Sequence, residues 1–184
     1  MDAIAIGCSA GGLDALRVLL QDLPAQYTAT VIIVAHTAPD SDSLLPGLLA
    51  KTCRLPVGEA QEREPALPGR VYVAPPNYHL LIEPDRRFAL SVDERVCFVR
   101  PSIDVLFQSA ADAYGANLAG VILTGANNDG AQGVLAVKAA GGVILVQDPA
   151  QAYADAMPLA AIATGAVDQV LPLDALAKAL RRYG

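Results

Sequence analysis

Four runs of strand length, Ala3-Ile4-Ala5-Ile6, Thr30 to Ala35, Leu118 to Leu123 and Val143 to Gln147, are apolar almost without alternation. A strand that is apolar on both faces must be covered on both faces, which marks a parallel sheet between helical layers. The intervening segments have the length and period of helices. Leu13, Leu16, Leu19 and Leu20 share one face of a helix expected from about Gly12 to Leu20. Strand, helix, strand, helix in this order predicts an α/β fold with a doubly wound, mostly parallel sheet and helices on both faces.

The rest of the chain fits that plan with one change of texture. A helix is expected near Ser43 to Thr52, interrupted at its start by Pro46 and Gly47. The middle holds short strand-like pieces at Val71 to Ala74, His79 to Ile82 and Phe88 to Val92. Pro84-Asp85-Arg86-Arg87 reads as a turn, making an antiparallel β-hairpin addition. Pro101 is placed in the first turn of a helix running to Tyr114, followed after the third run by a helix near Ala131 to Ala140. A short helix at Pro158 to Ala163, a strand at Gln169 to Leu171 and a helix from about Leu173 complete the pattern. With no internal repeat or linker, residues 1–184 are read as a single domain.

Composition narrows the function. Thirteen basic against nineteen acidic residues give a formal charge of −6, and no run of Lys and Arg longer than a pair, such as the terminal Arg181-Arg182, breaks that balance, which argues against nucleic-acid partners. The apolar runs are far shorter than the roughly 20 residues of a membrane-spanning helix. The N-terminus lacks the basic start of a signal peptide. Cys8, Cys53 and Cys97 are odd in number and widely spaced, and are read as reduced thiols. A soluble, cytoplasmic protein is expected.

The residues that carry chemistry stand where strands of such a sheet end, the place where ligands and catalytic groups collect. Gly7-Cys8-Ser9-Ala10-Gly11 is a G-x-S-x-G sequence between the first strand and the first helix. Its glycines are expected to allow a sharp turn that presents the serine, with helix-terminal amides behind it. The alternative is a phosphate loop, since Gly7-x-Ser9-x-x-Gly12 resembles a dinucleotide fingerprint without its middle glycine. That fold places an acidic residue at the end of the second strand, whereas this chain has His36. His79 competes with His36 as a base, and a packing or site-wall role is favoured for it. Asp129 follows the third apolar run in Thr124-Gly125-Ala126-Asn127-Asn128-Asp129-Gly130. It is either a plain helix N-cap or the acid that orients a histidine. Three adjacent strand ends would bring Ser9, His36 and Asp129 together as nucleophile, base and orienting acid. Cys8 is read as a small core residue rather than a reactive thiol.

The whole pattern resembles the catalytic domain of the chemotaxis methylesterase (CheB) family. The resemblance rests on the serine loop Gly7 to Gly12, the strand ending in His36, Pro76-Asn77-Tyr78-His79-Leu80, Arg100-Pro101-Ser102-Ile103-Asp104, Leu123 to Gly133, and Met157-Pro158-Leu159-Ala160-Ala161. It implies hydrolysis of glutamate methyl esters on chemoreceptor-type signalling helices, with deamidation of glutamines in some members. It assigns Ser9 as nucleophile, His36 as base and Asp129 as orienting acid, and implies no metal or organic cofactor. The oxyanion would be held by amides near Ala10 and Ala126, with Gly11, Asn127 and Met157 completing the site wall. Asp129→Asn is expected to leave folding intact while lowering turnover.

Several neighbours depart from the family pattern: Ala10 where Thr is usual, Ala35 for Gln, Thr37 for Met, Ala126-Asn127 for Met-Gly, and Ala156 for Gly. These departures motivate a second reading, a catalytically weakened module that docks on receptors; a nucleotide-binding domain is a third. Many relatives also carry a receiver domain, which is not expected within this chain, though a longer parent protein could supply one. No nucleic-acid or membrane-integral partner is expected.

Overall fold

The computed structural model describes residues 1–36 and 44–184. The first strand, β1 (Ala3–Cys8), lies at the middle of a seven-stranded, fully parallel sheet. Its neighbours are β2 (Thr30–Ala35) on one side and β7 (Leu118–Ile122) on the other. Beyond β2 lie β4 (Val71–Val73) and β3 (Val57–Glu59); beyond β7 lie β8 (Val143–Gln147) and β9 (Gln169–Leu171). The sheet order is therefore β3-β4-β2-β1-β7-β8-β9, and the winding direction reverses at β1. The expected architecture is the observed one.

Alternate residues of β1 face two separate cores. Ile4, Ile6 and Cys8 point to the layer of α1 (Gly12–Gln21), α2 (Leu45–Leu49) and α6 (Leu173–Leu180). Ala3 and Ala5 point to the layer of α3 (Ile103–Tyr114), α4 (Ala131–Ala139) and α5 (Ala156–Ala163). The small side chains on that second face let α3 approach closely. A methyl group added at Gly7 would lie 2.5 Å from Cγ2 of Ile103, and one at Gly120 would lie 3.0 Å from Phe107. Gly7 therefore makes room for the start of α3, rather than forming the turn expected of it. Gly11, at φ 78°, is the residue of the serine loop that needs glycine's left-handed backbone.

The antiparallel hairpin forms as expected from β5 (His79–Ile82) and β6 (Phe88–Ser91), as a separate two-stranded ribbon. Several boundaries differ from expectation. The piece at Val71 is an inner strand of the parallel sheet, and β3 has no counterpart in the sequence reading. Pro101 stands outside α3, because Ser102 is the N-cap and its side chain accepts the Val105 N–H at 3.4 Å. The second helix is only Leu45–Leu49; its expected start at Ser43 lies outside the described residues. Among the described residues, no helix is long and apolar enough to cross a membrane.

The turn at Cys97 and Phe98 places two successive non-glycine residues in the left-handed region. Val96 and Val99 exchange both backbone hydrogen bonds, at 3.2 and 2.9 Å, so Cys97 and Phe98 form a two-residue hairpin turn. Both have positive φ, 49° and 65°, the pattern that favours Asn-Gly. Phe98 is 93% exposed, so its ring recovers little by burial. Phe98→Gly is expected to stabilise the fold by about 1 kcal/mol, the order of the left-handed penalty. Urea unfolding checks this, and a midpoint unchanged or lowered would show the turn to be unstrained.

Candidate active site

The three strand ends converge as expected. Cys8 pairs with Ala35, and the His36 N–H donates to the Cys8 carbonyl at 3.0 Å, so Ser9 and His36 leave adjacent strands side by side. On the other side, the Ser9 N–H donates to the Thr124 carbonyl at 2.9 Å, tying the serine loop to the end of β7. Among the described residues the Ser9 hydroxyl has no hydrogen-bond partner, and neither do the amides of Ala10 and Ala126.

His36 and Asp129 are in direct contact. Nε2 of His36 lies 2.8 Å from Oδ2 of Asp129, and the two side chains are 8% and 0% exposed. In the tautomer whose Nε2–H donates to that carboxylate, Nδ1 is left as the basic nitrogen. The side-chain amide of Asn127 lies 3.4 Å from it, while Oδ1 of Asn127 accepts the Asp129 N–H at 3.2 Å.

Asp129 is a helix cap, but of a different helix from the one expected. The cap of α4 is Gly130, at φ 102°. The Asp129 carboxylate instead receives the start of α3: Ile103 N–H at 2.6 Å, Asp104 N–H at 3.1 Å and the Ser102 hydroxyl at 2.7 Å. Asp104 returns the favour, its carboxylate accepting the Gly133 N–H of α4 at 2.7 Å. Each helix thus holds an acid against the other's positive end. Burial works to raise the Asp129 carboxyl, but hydrogen bonds from His36, Ile103, Ser102 and Asp104 outweigh it and hold it below the ordinary range. For Asp104 the balance is reversed: burial, helped by the charge on Asp129, pushes it up despite the Gly133 amide.

The remaining expected wall residues divide. Ala126 is exposed and Asn127 half-buried at the mouth. Met157 is 1% exposed and does not line the cleft; it supports the loop from beneath, because a methyl group at Gly125 would lie 2.5 Å from its Cε. His79 is buried behind the site, accepting the Ser102 N–H at 3.2 Å on Nδ1 and meeting the Glu94 carbonyl at 2.9 Å through Nε2. Burial pushes the Cys8 thiol up to about 12, which leaves it inert at neutral pH.

Sequence reasoning passed over three contributors. Thr124 is 1% exposed, and its hydroxyl lies 2.8 Å from the Ala10 carbonyl and accepts the Ala154 N–H at 2.9 Å, fastening the serine loop. Gln147 accepts the Thr124 N–H at 2.9 Å. Tyr153, 83% exposed, stands over Gly11, where a methyl group would lie 2.5 Å from its Cβ. A cavity of about 200 Å³ beside it is lined by Gly11, Thr124, Gln147 and Tyr153, among others. Cys97, Asp104 and Asp129 have ligand-type atoms within 4.8 Å of one another. That group is a poor metal site, because Asp129 already takes four donors and one Asp104 oxygen takes the Gly133 amide.

Residues 4–180 match the family model described as CheB methylesterase. The chain belongs to the CheB methylesterase family. It is 50% identical over 177 residues to a Leptospira interrogans protein named, provisionally, protein-glutamate methylesterase/protein-glutamine glutaminase, with 96% of this chain and 92% of that one covered. A Rhodospirillum rubrum protein-glutamate methylesterase/protein-glutamine glutaminase is 40% identical over 184 residues, which span 98% of this chain and 50% of its own length. The catalytic domain of the Thermotoga maritima CheB methylesterase superposes with a TM-score of 0.95 at 32% identity, over 100% of this chain and 98% of that one. Within this CheB-family fold, Ser102 and Asp104 belong to a block that carried the resemblance without a role. The Ser-Ile-Asp start of an apolar helix was a legible N-cap signal.

The Asp129 contacts revise the expectation that Asp129→Asn is silent for folding. An amide has a donor where two donors already point, so at least the Ile103 N–H bond (Oδ2 side, shared with His36) or the Asp104 N–H bond (Oδ1 side, shared with Ser102) is lost. The variant is expected to be less stable at pH 7 by about 1–3 kcal/mol. A carboxyl held below its ordinary value stabilises the fold above the unfolded-state pKa of about 3.9 and ceases to as pH falls through its folded value. The gap between wild type and variant should therefore narrow in acid. Denaturant unfolding at several pH values checks this, and a gap that does not depend on pH would contradict it.

Proposed function

We propose that this chain hydrolyses methyl esters of glutamate side chains on chemoreceptor-type signalling proteins, and deamidates glutamines there, with Ser9, His36 and Asp129 as its triad. The observation that carries the reading is the 2.8 Å bond between His36 Nε2 and Asp129, on a histidine whose backbone N–H is bonded to the carbonyl of the residue before Ser9. In this reading the Ser9 oxygen attacks the ester carbonyl as Nδ1 takes its proton. Asp129 holds the ring and balances the charge it gains, without itself becoming protonated. The oxygen of the tetrahedral intermediate turns to the backbone amides of Ala10 and Ala126. Collapse expels methoxide, which takes the proton back from His36 and leaves as methanol. Water, deprotonated in turn by His36, then attacks the acyl-serine; the Ser9 oxygen leaves and takes that proton back from His36, and the acid product gives its own proton to solvent as the carboxylate is freed.

The absence of the family's polar and bulky groups at Ala10 and Ala126 leaves backbone donors to do this work. A methyl ester, with its good leaving group, suits such a site better than an amide, so ester hydrolysis is expected to exceed deamidation. Asn127 sits against Nδ1 and must yield or share that nitrogen as Ser9 engages it.

The test is methanol release from methylated receptor fragments. Release is expected from wild type and to fall at least roughly 10³-fold in Ser9→Ala. A fluorophosphonate probe should label wild type at Ser9 and leave the variant unlabelled. Labelling without methanol release would retain the nucleophile and reject the substrate; neither signal would favour a docking module.

A further inference from the structure

Ser102 is wholly buried and performs two tasks with one hydroxyl group. Its oxygen accepts the Val105 N–H at 3.4 Å, closing the first turn of α3. Its proton goes to Oδ1 of Asp129 at 2.7 Å. The other side of that carboxylate, Oδ2, faces His36. The hydroxyl is therefore two atoms away from the bond that orients the base, on the opposite oxygen of the same delocalised anion.

The hydroxyl is itself held in place. The Ser102 N–H donates to Nδ1 of His79, and Nε2 of His79 reaches the Glu94 carbonyl. His79 is 2% exposed and opens β5, so the hairpin fixes the residue that fixes the acid. The chain of contacts runs Glu94, His79, Ser102, Asp129, His36 and spans four separate parts of the fold.

We propose that Ser102 is a positioning residue for hydrolysis, its hydroxyl both locating the Asp129 carboxylate and limiting how much negative charge that carboxylate directs at His36. The inference rests on the triad reading of His36 and Asp129. A donor on Oδ1 draws charge toward that oxygen and away from Oδ2. Removing it makes Oδ2 a stronger acceptor for the His36 N–H and a better partner for the protonated ring. Among the described residues, the charged and titratable groups facing Asp129 are His36 from the end of β2, Asp104 from α3 and Cys97 from the strained turn. The other donor on Oδ1 is the backbone amide of Asp104, at 3.1 Å, which is uncharged and independent of side-chain titration.

The experiment compares the full chain with Ser102→Ala, Ser102→Gly and Ser102→Thr. Glycine serves as an N-cap almost as well as serine, so it removes the hydroxyl at little cost to the helix. Two readouts are taken on each: the low-field proton resonance of the His36–Asp129 hydrogen bond, and the pH dependence of kcat/KM for methanol release. In the Ala and Gly variants the resonance should move further downfield, kcat should fall about 10-fold with KM little changed, and the acid limb should move to higher pH. The Thr variant should restore all three. An unmoved resonance and acid limb would overturn the proposal, whatever the loss of activity, and so would failure of both the Ala and Gly variants to fold. If wild type releases no methanol, the substrate reading fails, while the resonance still decides the role of Ser102.

Discussion

Four hydrogen-bond donors meet on the two oxygens of Asp129, and most of what is specific to this molecule follows from that meeting. Left alone, a buried carboxylate would take up a proton to shed its charge. Here the first two amides of α3, a serine hydroxyl and a histidine supply what water would have supplied. The anion is kept, and it lies between a helix that needs a negative group at its start and an imidazole that needs one beside it. A requirement of folding and a requirement of catalysis are met by the same atoms.

Reaching that arrangement depends on residues with little chemistry of their own. Helix α3 can come close enough only because β1 shows Ala3, Ala5 and Gly7 to it, and β7 shows Gly120. Between α3 and α4 the same device recurs at Gly133, where a methyl group would lie 2.5 Å from Cβ of Phe107. Close approach of the two helices is what lets Asp104 and Asp129 each reach across. It also brings two carboxyl groups near one another, and the molecule settles that conflict unequally, favouring the charge on Asp129 over that on Asp104.

The parts of this that a sequence can announce are those written locally. Continuous apolar strands and helical periods declare the sheet and its two covering layers, and a chain reversal at β1 puts Ser9, His36 and Asp129 on neighbouring strand ends. Short elements escape for want of pattern: Val57-Gly58-Glu59 is too brief to show a period, yet it pairs fully along β4. Asp129 shows the deeper difficulty. Its type and its place before a helix correctly suggest a cap, but the helix it caps begins 26 residues earlier in the chain. Met157 escapes for a similar reason, since only the packed structure turns it beneath Gly125 rather than toward the cleft. Ser102 carries a local cap signal, but its contact with the acid is not local at all.

Helix starts are ordinarily the first places where a folded chain loosens, because their leading amides have no partner within the helix. In this molecule the starts of α3 and α4 are locked to each other through Asp104 and Asp129. Neither can fray without releasing the other, and the acid beside His36 goes with them. Slow hydrogen exchange is therefore placed where fast exchange is usual, at the amides of Ile103 and Gly133. Heat should abolish the orienting acid and the fold in one event, with no temperature range in which the enzyme stays folded while Asp129 has drifted from its post.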